Sequence, residues 1–310
     1  RMEIMTRDFR ALIEGRWAQG KYLCVGLDPD PGKIPQGVSL EKFLLDIVLE
    51  TAPYAAAYKP NIAFYEGDFK LGRSGTLYLP GLQALFKVTS FIRDNFPDIP
   101  VILDTKRGDI GKSNIGYVKA IFKVYGADAT TVHGYMGEES LAPILDEPGK
   151  LIFVLCRTSN PGAGEFQDLM VAQDGDSPAE RLYQRVARNV AHRWTHKNTG
   201  LVAGATYPEE IQEVRKITGP DVLLLIPGVG TQGGDLQKSV LYASEGGGLY
   251  LIVAASSANT RSSAFLASGP GCGRFSPGAA LRRSARCFWR AAWMPGSRSP
   301  SSFASASGTS

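Results

Sequence analysis

The sequence predicts a (β/α)8 barrel that runs into an atypical Arg/Ser/Ala-rich C-terminal tail. Three observations carry this. Eight short apolar runs recur along the chain, and helical patterns lie between them. Each run is continuously apolar rather than alternating, as parallel strands covered on both faces require. Charged residues close three of the first runs, where a barrel keeps its active site. A doubly wound open sheet is the alternative that the same alternation allows.

In chain order, "FRALIEGRW" places Phe9, Leu12, Ile13 and Trp17 on one helical face, suited to closing the bottom of a barrel. The expected strands are 22–28, 55–60, 101–104, 127–133, 151–156, 201–205, 222–227 and 249–254. In "AERLYQRVARNVAHRW", Leu182, Val186, Val190 and Trp194 recur every four residues. "PEEIQEVRKITG" opens on Pro208 and acids and stops at Gly219. The expected organisation is a barrel over 1–268 and a low-complexity basic tail over 269–310. That tail lacks Asp, Glu, Lys, Ile and Val. A reading-frame change near the end of a GC-rich gene accounts for its composition better than a natural disordered tail does. Under either reading, no regular final helix is expected.

Bulk properties exclude several classes. No apolar run approaches the ~20 residues of a membrane span. The charged start lacks a signal-peptide core, so a cytoplasmic protein is expected. Cys24, Cys156, Cys272 and Cys287 form neither a metal spacing nor a disulfide framework. The net charge of +4 comes from the tail: after Glu245, the last acidic residue, come seven arginines. Without them, 27 basic residues stand against 30 acidic ones. The body therefore has no evident nucleic-acid footprint.

The chemistry concentrates in "LDTKRGDIGKSN" (103–114). Asp104 and Lys106 share a strand face, and Asp109 falls in the loop before a helix beginning near Ser113. Carboxylates around one lysine favour its charged form, which suits a proton donor. A surface salt-bridge cluster is the plainer reading. Against that reading, Lys59 ends the second strand ("YKPN") and Asp28 the first ("GLD"). "IPGVGTQGGD" (226–235) follows the seventh strand and leads into a helix, the usual barrel site for phosphate. Arg261, after the eighth strand, is placed to offer a bidentate guanidinium. "CRTSNPGAGEFQDL" begins a long polar segment, to about Ser177, that reads as a lid, with Ser159 set to meet a polar ring. His133, His192 and His196 read as non-catalytic, the last two on a solvated helix face.

Together, "GLDPDPGKIP", "YKPNIAFYE", "LDTKRGDIGKSN", "LCRTSNPGAGEFQDL" and "IPGVGTQGGD" resemble the orotidine 5′-phosphate decarboxylase family, in its longer bacterial-type branch, from about Phe9 to Ser268. The resemblance implies conversion of orotidine 5′-monophosphate to UMP and CO2, the last step of de novo pyrimidine biosynthesis, with no metal or organic cofactor. It implies that Lys106 protonates C6, and that Asp104 sits near the substrate carboxylate and holds Lys106. Lys59 and Asp28 bind the ribose region, Lys59 also ordering the charges. Asp109 reaches into the neighbouring subunit's site, which makes the active form a homodimer. Ser113 contributes to substrate binding and Ser159 contacts the pyrimidine amide. Gln232 and Arg261 hold the phosphate, and Gly230 and Gly233 shape its loop. Two departures stand out: His133-Gly134, where the family more often has Asn-Pro, and the tail, where it has a covering helix. The competing expectations are a magnesium-dependent sugar-phosphate decarboxylase on the same scaffold, an inactive nucleotide-binding relative, and nonspecific nucleic-acid binding by the tail.

Overall fold

The computed structural model describes residues 7–229 and 232–255. Its centre is a parallel eight-stranded sheet. The strands are β1 (Leu23–Leu27), β2 (Ala55–Pro60), β3 (Ile102–Arg107), β4 (Ala129–Val132), β5 (Leu151–Arg157), β6 (Thr199–Ala203), β7 (Leu223–Val229) and β8 (Tyr250–Ala255). Neighbours pair in chain order from β3 to β8, β8 pairs with β1, and β1 with β2. Parallel bridges Tyr58↔Val101 and Asn61↔Asp104 bring β2 against β3 and close the barrel. All eight strands lie within three residues of their expected bounds, and the open-sheet alternative is ruled out by the closure.

Burial of alternate side chains on two different faces explains why most of the strands read as continuous apolar runs. Inward positions such as Cys24, Ala57, Ile102, Ala129, Phe153, Leu225 and Leu251 fill the barrel. Outward ones, including Ile152, Val154, Leu224, Ile226 and Ile252, join the larger core beneath the helices. Glycine is required at Gly200, where a Cβ would lie 2.7 Å from the Leu223 carbonyl oxygen and 2.9 Å from the Phe153 ring. The interior is thus a packed core rather than a pore.

The outer helices include α1 (Phe9–Ala18), α2 (Leu40–Thr51), α3 (Pro80–Asn95), α4 (Lys112–Val118), α5 (Glu138–Leu145), α6 (Leu182–Arg188), α7 (Pro208–Thr218) and α8 (Leu236–Ala243). As expected, α1 plugs the barrel bottom. Phe9 and Ile13 join the interior cluster, and the Phe9 ring meets Phe153 edge-on at 6.0 Å. Buried Arg16 fixes the plug by donating to the carbonyls of Ala52 and Ala55 and pairing with Asp98 at 2.7 Å. At the same end, fully buried Asp128 accepts from Arg7, from the Val101 N–H and, at 3.5 Å, from Lys150.

Three local expectations change. After α6 the helix widens into a π turn (Asn189–Arg193), and its most buried face is Tyr183, Ala187, Val190 and Trp194, with Leu182 and Val186 on the flank. His196 lies beyond that helix rather than on it. The polar segment after β5, expected as a lid, carries local structure of its own. It contains a helical turn (Gly164–Gln167) and a two-residue hairpin, Met170–Val171 with Glu180–Arg181. Charge holds it together: Asp168 pairs with Arg157 at 3.3 Å and with Arg181 at 3.4 Å. Among the described residues, no helix is long and apolar enough to cross a membrane. Gly230, Arg261 and the whole 269–310 tail lie outside the described residues.

Candidate active site

The sheet register stacks the charges that end the first three strands. Leu27 pairs with Pro60, so Asp28 stands beside Asn61, and Asn61 bridges to Asp104. The result is a single layer at the C-terminal mouth. Asp104 is its centre. Oδ2 accepts from Lys59 Nζ at 2.9 Å, and Oδ1 accepts from Lys106 Nζ at 2.6 Å and from Thr131 Oγ1 at 2.7 Å. Lys59 and Asp104 are buried, whereas the Lys106 side chain is 48% exposed and opens to the mouth.

The electrostatics follow from this packing. Burial alone would raise the Asp104 carboxyl. The two ammonium groups outweigh it and hold Asp104 well below the usual carboxylate range. Burial likewise opposes the charge on Lys59, but the Asp104 and Asp28 carboxylates raise it above its ordinary value. Asp28 is itself raised by burial, with Lys59 and a 3.0 Å bond from the Asn61 N–H pulling the other way. Two carboxylates and two ammonium groups therefore balance within one chain.

Lys106 has a backbone φ of +48°, the left-handed region that a side chain other than glycine seldom adopts. Its N–H donates to Thr131 Oγ1 at 3.0 Å. Thr131 thus grips both the carboxylate and the backbone of the neighbouring lysine. It was not singled out in the sequence; the available signal was a hydroxyl at an inward position of a short strand, "ADATTV".

Ser159 and Gln232 are 73 residues apart, yet Ser159 Oγ donates to Gln232 Oε1 at 2.7 Å. Gly204 permits this, since a Cβ there would come within 2.8 Å of the Ser159 nitrogen. Buried Arg157, also missed in the sequence, anchors the Ser159 segment by pairing with Glu210 and lying 4.3 Å above the Tyr207 ring centroid. Gly233 has φ +78° and is exposed beside Gln232. Asp235 caps α8 by accepting from the Lys238 N–H, so a carboxylate already takes one of the donors of that helix's first turn.

Asp109 does not join the array of its own chain. Its carboxylate accepts from the adjacent Ile110 N–H at 2.7 Å, and among the described residues it has no ion pair. Ser113 is exposed in the first turn of α4. His133 packs on the Gly108 turn, where a Cβ would lie 2.9 Å from its Nε2. No cluster of residues suited to a metal ion occurs among the described residues.

Residues 21–258 match the family model described as orotidine 5′-phosphate decarboxylase / HUMPS family. An orotidine 5′-phosphate decarboxylase of Cupriavidus metallidurans is 43% identical over 239 residues, 75% of this chain and 81% of that protein. Among solved structures, an OMP decarboxylase of Leishmania donovani is 32% identical, with a TM-score of 0.68 over 93% of this chain and 100% of that one. The UMP synthase of the same organism is 35% identical with a TM-score of 0.70. It covers 91% of this chain, which spans only 56% of that longer protein. By the matched span and by its identity to these relatives, the chain belongs to the orotidine 5′-phosphate decarboxylase / HUMPS family.

Proposed function

We propose that the chain decarboxylates orotidine 5′-monophosphate to UMP and CO2 without metal or organic cofactor, with Lys106 as the proton donor. The observation that carries this reading is Asp104 held between Lys59 and Lys106, with only Lys106 open to the mouth. The C6–carboxylate bond breaks, its electron pair remains on C6, and CO2 departs. The Lys106 ammonium stabilises the developing carbanion and passes its proton to C6. Water at the exposed lysine then restores that proton. Asp104 faces the substrate carboxylate and keeps Lys106 on target. Lys59 and Asp28 bind the ribose hydroxyls, and Ser113 adds to the substrate contacts.

On this reading Ser159 contacts the pyrimidine amide. Gln232, Gly230, Gly233 and Arg261 hold the phosphate. The Ser159–Gln232 hydrogen bond supports that division, because it sets the base and phosphate ends side by side. Binding energy from the remote phosphate then orders the site for turnover. Asp109 completes the array of the neighbouring subunit, so the active form is a homodimer. Among the described residues Asp109 has no ion pair within its own chain, which supports this.

The test is the ultraviolet absorbance of orotidine 5′-monophosphate incubated with the purified chain and EDTA. Loss of the orotate chromophore is expected. A requirement for added magnesium would instead favour the sugar-phosphate branch of the family.

A further inference from the structure

Asn114 sits at 0% exposure in the first turn of α4, five residues after Asp109. A fully buried primary amide needs one donor for its oxygen and two acceptors for its nitrogen. It finds all three. Oδ1 accepts from the Asp109 N–H at 3.1 Å, and Nδ2 donates to the Asp109 carbonyl at 2.6 Å and to the Ser140 carbonyl at 2.6 Å. The first two bonds grip both polar groups of one residue's backbone. The third ties that residue to α5, where Ser140 Oγ donates to the carbonyls of Met136 and Gly137.

α4 has little else to define its start. Gly111 precedes it with φ +51° and gives no side-chain cap. The Ser113 N–H bonds the Ile110 carbonyl at 3.3 Å, and the Asn114 amide supplies the side-chain bonds that grip the Asp109 backbone in the loop between β3 and α4. Glycine at 108 is required by the close approach of His133, which holds the upstream side of the same turn.

We infer that Asn114 is a positioning residue for the reaction, and that it acts on the partner's site rather than its own by fixing the backbone from which Asp109 projects. This rests on the proposed sharing of Asp109 between subunits. Loss of the amide lets the Asp109 carboxylate wander, and a misplacement of about 1 Å costs on the order of 100-fold in rate.

The test uses dimers assembled from two differently tagged, co-expressed chains and purified as the mixed species. Asn114→Ala homodimers are expected to lose about 10- to 100-fold in kcat/KM. In a mixed dimer with Lys106→Ala, one site combines the intact Lys106 of the Asn114→Ala chain with an Asp109 whose own Asn114 is intact. That dimer is expected to regain about half of the wild-type activity. Activity that stays at the Asn114→Ala level would overturn the inference, because a merely structural defect stays in the chain that carries it. Wild-type kcat/KM in the Asn114→Ala homodimer would overturn it too. Asn114→Ser serves where the alanine variant does not fold. Mixed dimers of Lys106→Ala with Asp109→Ala test the underlying reading separately. Failure of that pair to regain activity would show that Asp109 is not shared.

Discussion

At the scale of single residues, one carboxylate organises the site. Asp104 uses both oxygens on cations and still accepts from Thr131, so a buried charge that would be costly alone is compensated on every side. Thr131 is the less obvious member, because it also holds the Lys106 backbone at positive φ. Thr131→Val keeps the shape and removes both bonds. It should lower stability by about 1–3 kcal/mol through the unpaired groups and kcat/KM by about 10- to 100-fold. Denaturant unfolding and steady-state kinetics would check the two effects together. The charged members of this set were legible in the sequence because Asp and Lys at strand ends are conspicuous. Thr131, Asn114 and Arg157 were not: Thr131 meets Asp104 and Arg157 meets Glu210 far along the chain, Asn114 grips a backbone turn, and spacing does not reveal these.

At the scale of elements, the same contrast recurs. The eight strands were readable because two apolar faces leave a continuous run. The internal order of the segment after β5 was not readable, because it comes from Arg157, Asp168 and Arg181 pairing across the loop and not from any periodicity. A further link of this kind joins α5 to the chain after the π turn. His196 Nδ1 meets Glu138 at 2.8 Å, and Nε2 meets Asp146 at 3.0 Å, so one imidazolium spans both ends of α5. Hydrogen bonds to Glu138, then to Asp146, raise the His196 pKa above its ordinary value. A raised histidine contributes stability that is fully present below its unfolded value, ~6.5, and is lost as pH rises through the folded value. His196→Gln should therefore lower the Tm at pH 5.5, with the gap to wild type narrowing as pH rises past neutrality. A gap that stays constant from pH 5.5 to 9 would mean that the charge contributes nothing.

At the scale of the whole molecule, stability and chemistry occupy opposite ends of the barrel. The bottom holds the α1 plug, Arg16 and Asp128, while the mouth holds the Lys59–Asp104–Lys106 array. Phe9→Ala removes a ring that is 1% exposed and packed on Phe153. It should cost about 3–5 kcal/mol of stability and leave KM near wild type below the unfolding transition. Calorimetry and kinetics on the same preparation would separate the two. The resemblance found in the sequence carried the family assignment because its motifs fall at the strand ends that converge in the barrel. What the sequence could not convey is how Asp109 stands apart from its own chain's charges, which requires the register of β3 and the turn that Asn114 holds.

The central claim is that Lys106 supplies the proton, and Lys106→Ala addresses it most directly. Its decarboxylation of orotidine 5′-monophosphate would be followed alongside its circular dichroism and UMP binding. The expected result is a folded protein that binds UMP and has no measurable turnover. Retained turnover in that folded variant would contradict it and move the proton donor elsewhere.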